Sequence, residues 1–215
     1  MRKLLLFVTT ISILTSCQKN EEITLETKSD YLPLSIGNYW VYQHYKIDTD
    51  GNETLLQYLD SIVIKGDTII KDEKFFIIEN HFFNSKWTQT EFLRDSSKNL
   101  VNNLGHCFFS ETNFTDVLYE YYENNNIYND TLYSIKYQMH NPNLDITVPA
   151  GSFNVLNYKG DLEYYATEHF SPLIFNRTIN TYYAPQIGKI LTTYYFASLP
   201  DTFEKRLTRY KIVTK

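Results

Sequence analysis

Along most of the chain, apolar and polar residues alternate in short runs with a period of two. The runs are separated by clusters of Asn, Asp, Gly and Ser. That period sends successive side chains to opposite faces of a strand, and the polar clusters are what turns require. The clearest run is 39–47, with Trp40, Tyr42, His44 and Lys46 on one face and Tyr39, Val41, Tyr45 and Ile47 on the other. Residues 48–52 follow, with Asp50-Gly51 marking a hairpin turn. The same reading predicts a strand over 55–65, a turn at Gly66-Asp67 into 68–71, and a strand over 74–83. Asn84-Ser85 then turns the chain into 87–94, and 95–99 is a further turn. Residues 114–122 fit a strand or a short helix. Strands are expected again over 131–140, 144–148, 153–165, 177–183, 189–197 and 206–213. A helix near 165–175 would be limited by Pro172. No repeat of fixed period and no second-domain linker is visible. The prediction is an all-β, mainly antiparallel domain over 31–215. Its ten to twelve strands would form a single curved sheet, an open barrel or a sandwich, with little helix.

Composition supports this. There are 19 Tyr, 14 Phe and 2 Trp against only 7 Gly, and aromatic residues suit a pleated, half-buried surface. The charge narrows the partners. The formal net charge of −5 drops to −7 once the two charges of Arg2 and Lys3 are set aside with the leader described next. An acidic body argues against nucleic acid as a partner, because that binding rests on neutralising phosphates.

The first 17 residues differ from the rest. Arg2-Lys3 is followed by eleven uncharged, mostly apolar residues, 4–14, and then Thr15-Ser16-Cys17. A basic start, a short apolar run and small residues at a cut site predict a signal peptide over 1–16. Leu14-Thr15-Ser16-Cys17 resembles the bacterial lipobox, which implies cleavage before Cys17 and acylation of its thiol and new amine. Two or more acyl chains anchor a protein stably, so the membrane is the first expected partner, reached through Cys17. The polar residues 17–30 then read as a flexible tether. Gln18, where an Asp would signal inner-membrane retention, points to the outer membrane. Lys19, Glu21 and Glu22 resemble the surface-export signal of Bacteroidetes lipoproteins. The expected location is the cell envelope, as an outer-membrane lipoprotein, with the face left open.

Three stretches resemble a group of Bacteroidetes-type lipoproteins of unknown function. They are Tyr31-Leu32-Pro33-Leu34-Ser35-Ile36-Gly37-Asn38-Tyr39-Trp40-Val41-Tyr42, Val148-Pro149-Ala150-Gly151-Ser152-Phe153-Asn154-Val155, and Tyr182-Tyr183-Ala184-Pro185-Gln186-Ile187-Gly188-Lys189-Ile190. In the third, Gln186 stands where the group usually has Gly. The resemblance implies a β-rich fold, such as an open, strongly curved sheet, and carries no catalytic residues with it.

No constellation of catalytic residues emerges, and no metal site or cofactor is predicted. His44, His81, His106, His140 and His169 show no helical or strand spacing suited to a metal. Gly-x-Ser-x-Gly and phosphate-binding glycine patterns are absent. Cys107 follows His106, but strand neighbours face opposite ways, so Cys107 reads as a buried small apolar residue. Asp145, Asp161 and Glu163 read as solvated strand residues. The pairs Tyr121-Tyr122, Tyr164-Tyr165, Tyr182-Tyr183 and Tyr194-Tyr195 each send one ring inward and one outward, and such rings suit a sugar- or lipid-binding groove. The expectation is a non-enzymatic binding or carrier domain for a small apolar or aromatic-stacking ligand, with the binding residues unspecified. The alternatives are an assembly component holding an envelope protein, or a hydrolase with a dispersed site. Replacement of Cys17 by Ser is expected to move the protein from the membrane to the soluble fraction. Unchanged membrane retention would contradict the anchor.

Overall fold

The computed structural model describes residues 28–82, 87–141 and 143–213. The signal peptide, Cys17, most of the tether and the expected turn at Asn84-Ser85 lie outside the described residues. The strands are β1 (Tyr39–Ile47), β2 (Glu53–Ile70), β3 (Glu73–Phe82), β4 (Thr88–Ser96), β5 (Asn99–Asn102), β6 (Cys107–Ser110) and β7 (Tyr119–Asn125). They continue with β8 (Asp130–His140), β9 (Asp145–Val148), β10 (Gly151–Asn154), β11 (Leu156–Tyr164), β12 (Asn176–Ala184), β13 (Gly188–Tyr194) and β14 (Thr202–Lys211). Twelve of them form one antiparallel sheet in the order β6-β5-β4-β3-β2-β1-β14-β13-β12-β11-β8-β7, and β9 pairs with β10 as a separate hairpin. The sheet coils into a nearly closed barrel, and the described residues contain no helix. The all-β expectation of ten to twelve strands in a curved sheet matches this architecture.

Three local expectations are corrected. Residues 66–67 do not turn: β2 runs through Gly66-Asp67 with a bulge between Ile64 and Gly66. The chain reverses instead at Lys71-Asp72, both left-handed, which is the geometry that two-residue hairpins favour. The single strand expected over 153–165 breaks at Val155, which is fully buried. Before the break the chain pairs with β9, and after it with β8 and β12. The helix near 165–175 is a loop pinned by a Thr167–Phe170 bridge. In the ambiguous stretch 114–122, only Tyr119 onward is strand. The turn before it is held by the Asn113 side chain, which accepts from the backbone N–H groups of Thr115 and Asp116.

Strand register sorts the loops into two ends. Residues 28–38 and the turns at 71–72 and 185–187 share one end, and the loops at 48–52, 126–129, 165–175 and 195–201 share the other. The first end is closed by a strap, residues 28–34. Ser29 N–H donates to Asp95, and Gln186 N–H donates to the Asp30 carbonyl. Leu32, within the strap, is buried against Phe109 and Tyr183.

The three stretches that resemble the lipoprotein group converge at this strap end. Trp40 Nε1 donates to the Ile187 carbonyl at 2.7 Å, and the Tyr42 hydroxyl to the Lys189 carbonyl at 2.9 Å. Asn38, with no exposed surface, ties Pro33 to Val213. Val148 and Val155 of the second stretch pack with Trp40, Ile190 and Leu207. Gln186 has φ 62°, so the position where Gly is usual does need the left-handed region. Gly188 likewise takes a positive φ, 90°, with Pro33 packed against it.

Gly160 has a different role. It pairs across strands with Tyr137, whose ring lies over it and stacks on Tyr158 at 4.6 Å. A Cβ at Gly160 would come within 2.5 Å of that ring. Gly160→Ala is therefore expected to destabilise the fold by about 1–3 kcal/mol, the usual cost of overpacking. Urea denaturation reads it, and an unchanged midpoint would show that Tyr137 moves freely.

Candidate ligand-binding cavity

Coiling the sheet leaves its interior hollow. A cavity of about 610 Å³ runs between β4–β8 on one side and β11–β13 on the other, within the range of small-molecule sites. Its walls include the rings of Phe108, Tyr119, Tyr121, Tyr137, Tyr158 and Tyr183. Some of these rings also close the barrel. β6 and β7 are the two sheet edges and share no ladder, but His106 and Phe108 bring their rings to 4.8 and 5.3 Å from Tyr119. The Tyr158 hydroxyl donates to the Cys107 carbonyl at 3.3 Å. Burial pushes the Tyr137 phenol up to about 12 and those of Tyr158 and Tyr183 well above the usual range. All three remain neutral in ordinary buffers.

Two opposite charges share this cavity. Lys189 lies on β13 opposite Tyr183, where a register shift leaves Ile190 as an extra residue between Lys189 and Leu191. Such a bulge re-aims side chains, and it puts Lys189 and Thr192 both on the cavity wall. Among the described residues, no ion pair or hydrogen bond reaches the Lys189 ammonium. Burial pulls its pKa down; Lys205 adds to this and Glu91 opposes it. Glu91, on β4, faces the same space and accepts from Gln89 Nε2 at 3.0 Å. The buried Thr192 hydroxyl is unpaired. Glu91 and Lys189 also face the strap residues Tyr31, Leu32, Pro33 and Leu34.

A second polar group lies alongside. Asp60 receives Lys205 Nζ at 2.5 Å and has His44 Nε2 at 2.9 Å, though the His44 contact is poorly aligned for a hydrogen bond. His44 Nδ1 is 2.8 Å from the Tyr194 hydroxyl. Burial works against the Asp60 charge, but His44 and Lys205 outweigh it and hold the carboxyl below its ordinary value. These charges are mutually compensated, unlike Lys189.

The residues singled out in the sequence are dispersed. His44 is interior. His81 lies beside Thr88 and Glu79, the His106 ring is tilted against Tyr119, and the His169 ring is tilted against Tyr128 with centroids 3.6 Å apart. His140 ends β8. Among the described residues, no three His, Cys, Asp or Glu side chains gather as a metal site would require. Cys107 is half-buried rather than buried. Burial pushes its thiol up, and the thiol donates to the Phe109 carbonyl. Asp145, Asp161 and Glu163 are exposed. Of the tyrosine pairs, Tyr121 and Tyr183 line the cavity. Tyr164, Tyr194 and Tyr195 line an adjoining chamber of about 310 Å³, and Tyr122 is exposed. Sequence reasoning missed Lys189, Glu91 and Thr192. The one available signal was a lysine directly before the apolar pair Ile190-Leu191.

No protein-family pattern matches the chain, and no curated protein matches it in sequence. In fold it is similar to a putative lipoprotein from Parabacteroides distasonis, with TM-score 0.52 and 13% identity over 86% of this chain and 100% of that one. It is also similar to a putative exported protein with a YmcC-like fold from Bacteroides fragilis, with TM-score 0.50 and 13% identity over 84% and 98% of the two chains. At that identity the likeness is one of fold.

Lys189 has a pH signature. Its amine sheds the proton more easily in the folded state than in the unfolded chain, so between the folded value and 10.5 the unfolded state binds more protons. Stability from this group therefore rises with pH across that window. Lys189→Met removes the effect. Its stability relative to the natural protein is expected to be most favourable at pH 7 and to decline by pH 9.5 in urea melts. A pH-independent difference would place the amine in solvent.

Proposed function

We propose that this chain is a lipid-anchored protein of the bacterial cell envelope, held at the outer membrane through Cys17. In this reading it binds or carries an apolar or aromatic-stacking ligand inside its barrel and does no chemistry on it. The observation that carries the reading is the aromatic-walled cavity. A packed barrel would fill that volume with side chains, and voids cost stability. Here Ile135 and Ile179 line both the main cavity and the adjoining chamber, so the apolar lining extends from one to the other. The fold it shares with solved proteins named for a lipoprotein and an exported protein agrees with an envelope role.

A second reading rests on the far end. Ile127 and Leu173 are 82% and 58% exposed, and Phe175 and Phe196 also stand out. Leu173 N–H donates to the Ala197 carbonyl, so two of these loops touch. An exposed apolar rim also suits a protein partner at the envelope.

The ligand reading is tested with N-phenyl-1-naphthylamine, an apolar dye that brightens in dry sites. The purified protein is expected to give saturable one-to-one enhancement. Ile179→Trp, which fills the junction of the two chambers, should weaken it about tenfold or more with an unchanged circular dichroism spectrum. Failure of the natural protein to enhance the dye would overturn the reading.

A further inference from the structure

Two oppositely charged side chains, Lys189 and Glu91, face the cavity near its strap end, and the lining at the far end is apolar. From the geometry we infer that the barrel selects amphiphiles with a net-neutral head group that accepts a hydrogen bond from Lys189 and donates one to Glu91, the apolar chain extending toward the far end. The inference rests on the ligand reading above and adds the chemistry of the head.

Three observations carry it. Lys189 and Glu91 come from opposite halves of the sheet yet face one space, closed below by the strap residues Tyr31 to Leu34. Neither meets the other in an ion pair: no contact within 4.0 Å joins them among the described residues, and Glu91 is held by Gln89 instead. The Thr192 hydroxyl in the same wall is also unpaired. Buried polar groups normally have partners, so the buried Thr192 hydroxyl left without one, beside a half-buried amine with no ion pair, matches groups that a ligand would supply. Away from these groups the lining changes to Ile135, Ile179 and the tyrosine rings. It then reaches Phe170 and Phe196 in the loops of the far end. One end of a bound molecule is thus offered charge and the rest apolar surface.

Charge balance sets the kind of head. Two lysines and two acidic residues face the cavity and the small pocket beside it: Lys189 and Lys205, Glu91 and Asp60. Asp60 and Lys205 already pair, which leaves one positive and one negative group for the ligand. A carboxylate head would gain Lys189 but bring a second negative charge toward Glu91 in a poorly solvated space. An ammonium head would meet the reverse. Like charges brought together cost several kcal/mol. A head such as a primary amide offers a carbonyl to the amine and an N–H to the carboxylate, and meets neither penalty.

The test compares three probes with one eighteen-carbon chain, namely oleamide, oleate and oleylamine, as displacers of N-phenyl-1-naphthylamine. The natural protein is expected to prefer oleamide over both ionic probes by about tenfold or more. Glu91→Gln should shift the preference to oleate, and Lys189→Gln should shift it to oleylamine. Each result is a ratio within one protein, so a partial loss of folded material cancels. Equal displacement by the three probes, or ratios untouched by both substitutions, would overturn the head-group inference and leave the ligand reading standing. Failure of every apolar probe to bind would overturn the ligand reading itself.

Discussion

Two side-chain hydrogen bonds organise this molecule: Trp40 to the Ile187 carbonyl and Tyr42 to the Lys189 carbonyl. They join β1, at the middle of the sheet, to the start of β13. Around them gather Val148, Val155, Ala184, Ile190 and Leu207, each worth about 1–3 kcal/mol of burial according to size. The bulge that aims Lys189 inward lies within this assembly. So does the left-handed turn at Gln186, whose N–H ties down the strap. One cluster therefore closes the barrel at one end and sets the charge at the floor of its cavity.

The rest of the barrel is held differently. The two edge strands never pair, and rings close the gap between them. Edge strands left bare invite aggregation. Here β6 has only four residues, and its edge is covered by Tyr119 and Tyr158. The same tyrosines line the cavity, so one set of side chains both guards the edges and forms the cavity wall. Joining β6 and β7 by a full ladder would narrow the space between them.

Strand periodicity and turn chemistry made most of the fold legible from residues alone. β1 agrees with the expected run, and the hairpin at Asp50-Gly51 and the turn at Ser97-Lys98 fall where polar clusters placed them. Gly66-Asp67 misled because turn-forming residues also suit bulges, and only pairing with β3 decides between the two. Val155 misled because an apolar residue inside an apolar run gives no sign that the strand changes partners there. The cavity was legible only as a surplus of tyrosines. Glu91 and Lys189 are ordinary charged residues in sequence, and a one-residue bulge decides that Lys189 faces in. A period-two reading cannot see a bulge, and nothing local links β4 to β13.

A ligand site and a packing defect in the barrel interior differ in what the natural protein would hold there. Native mass spectrometry of the protein, released from its own cell envelope in mild detergent, tests this most directly. A ligand site is expected to give a one-to-one non-covalent adduct that leaves on denaturation and has the mass of an uncharged-head amphiphile. A bare polypeptide mass across gentle conditions, with the cavity empty in the natural material, would contradict it.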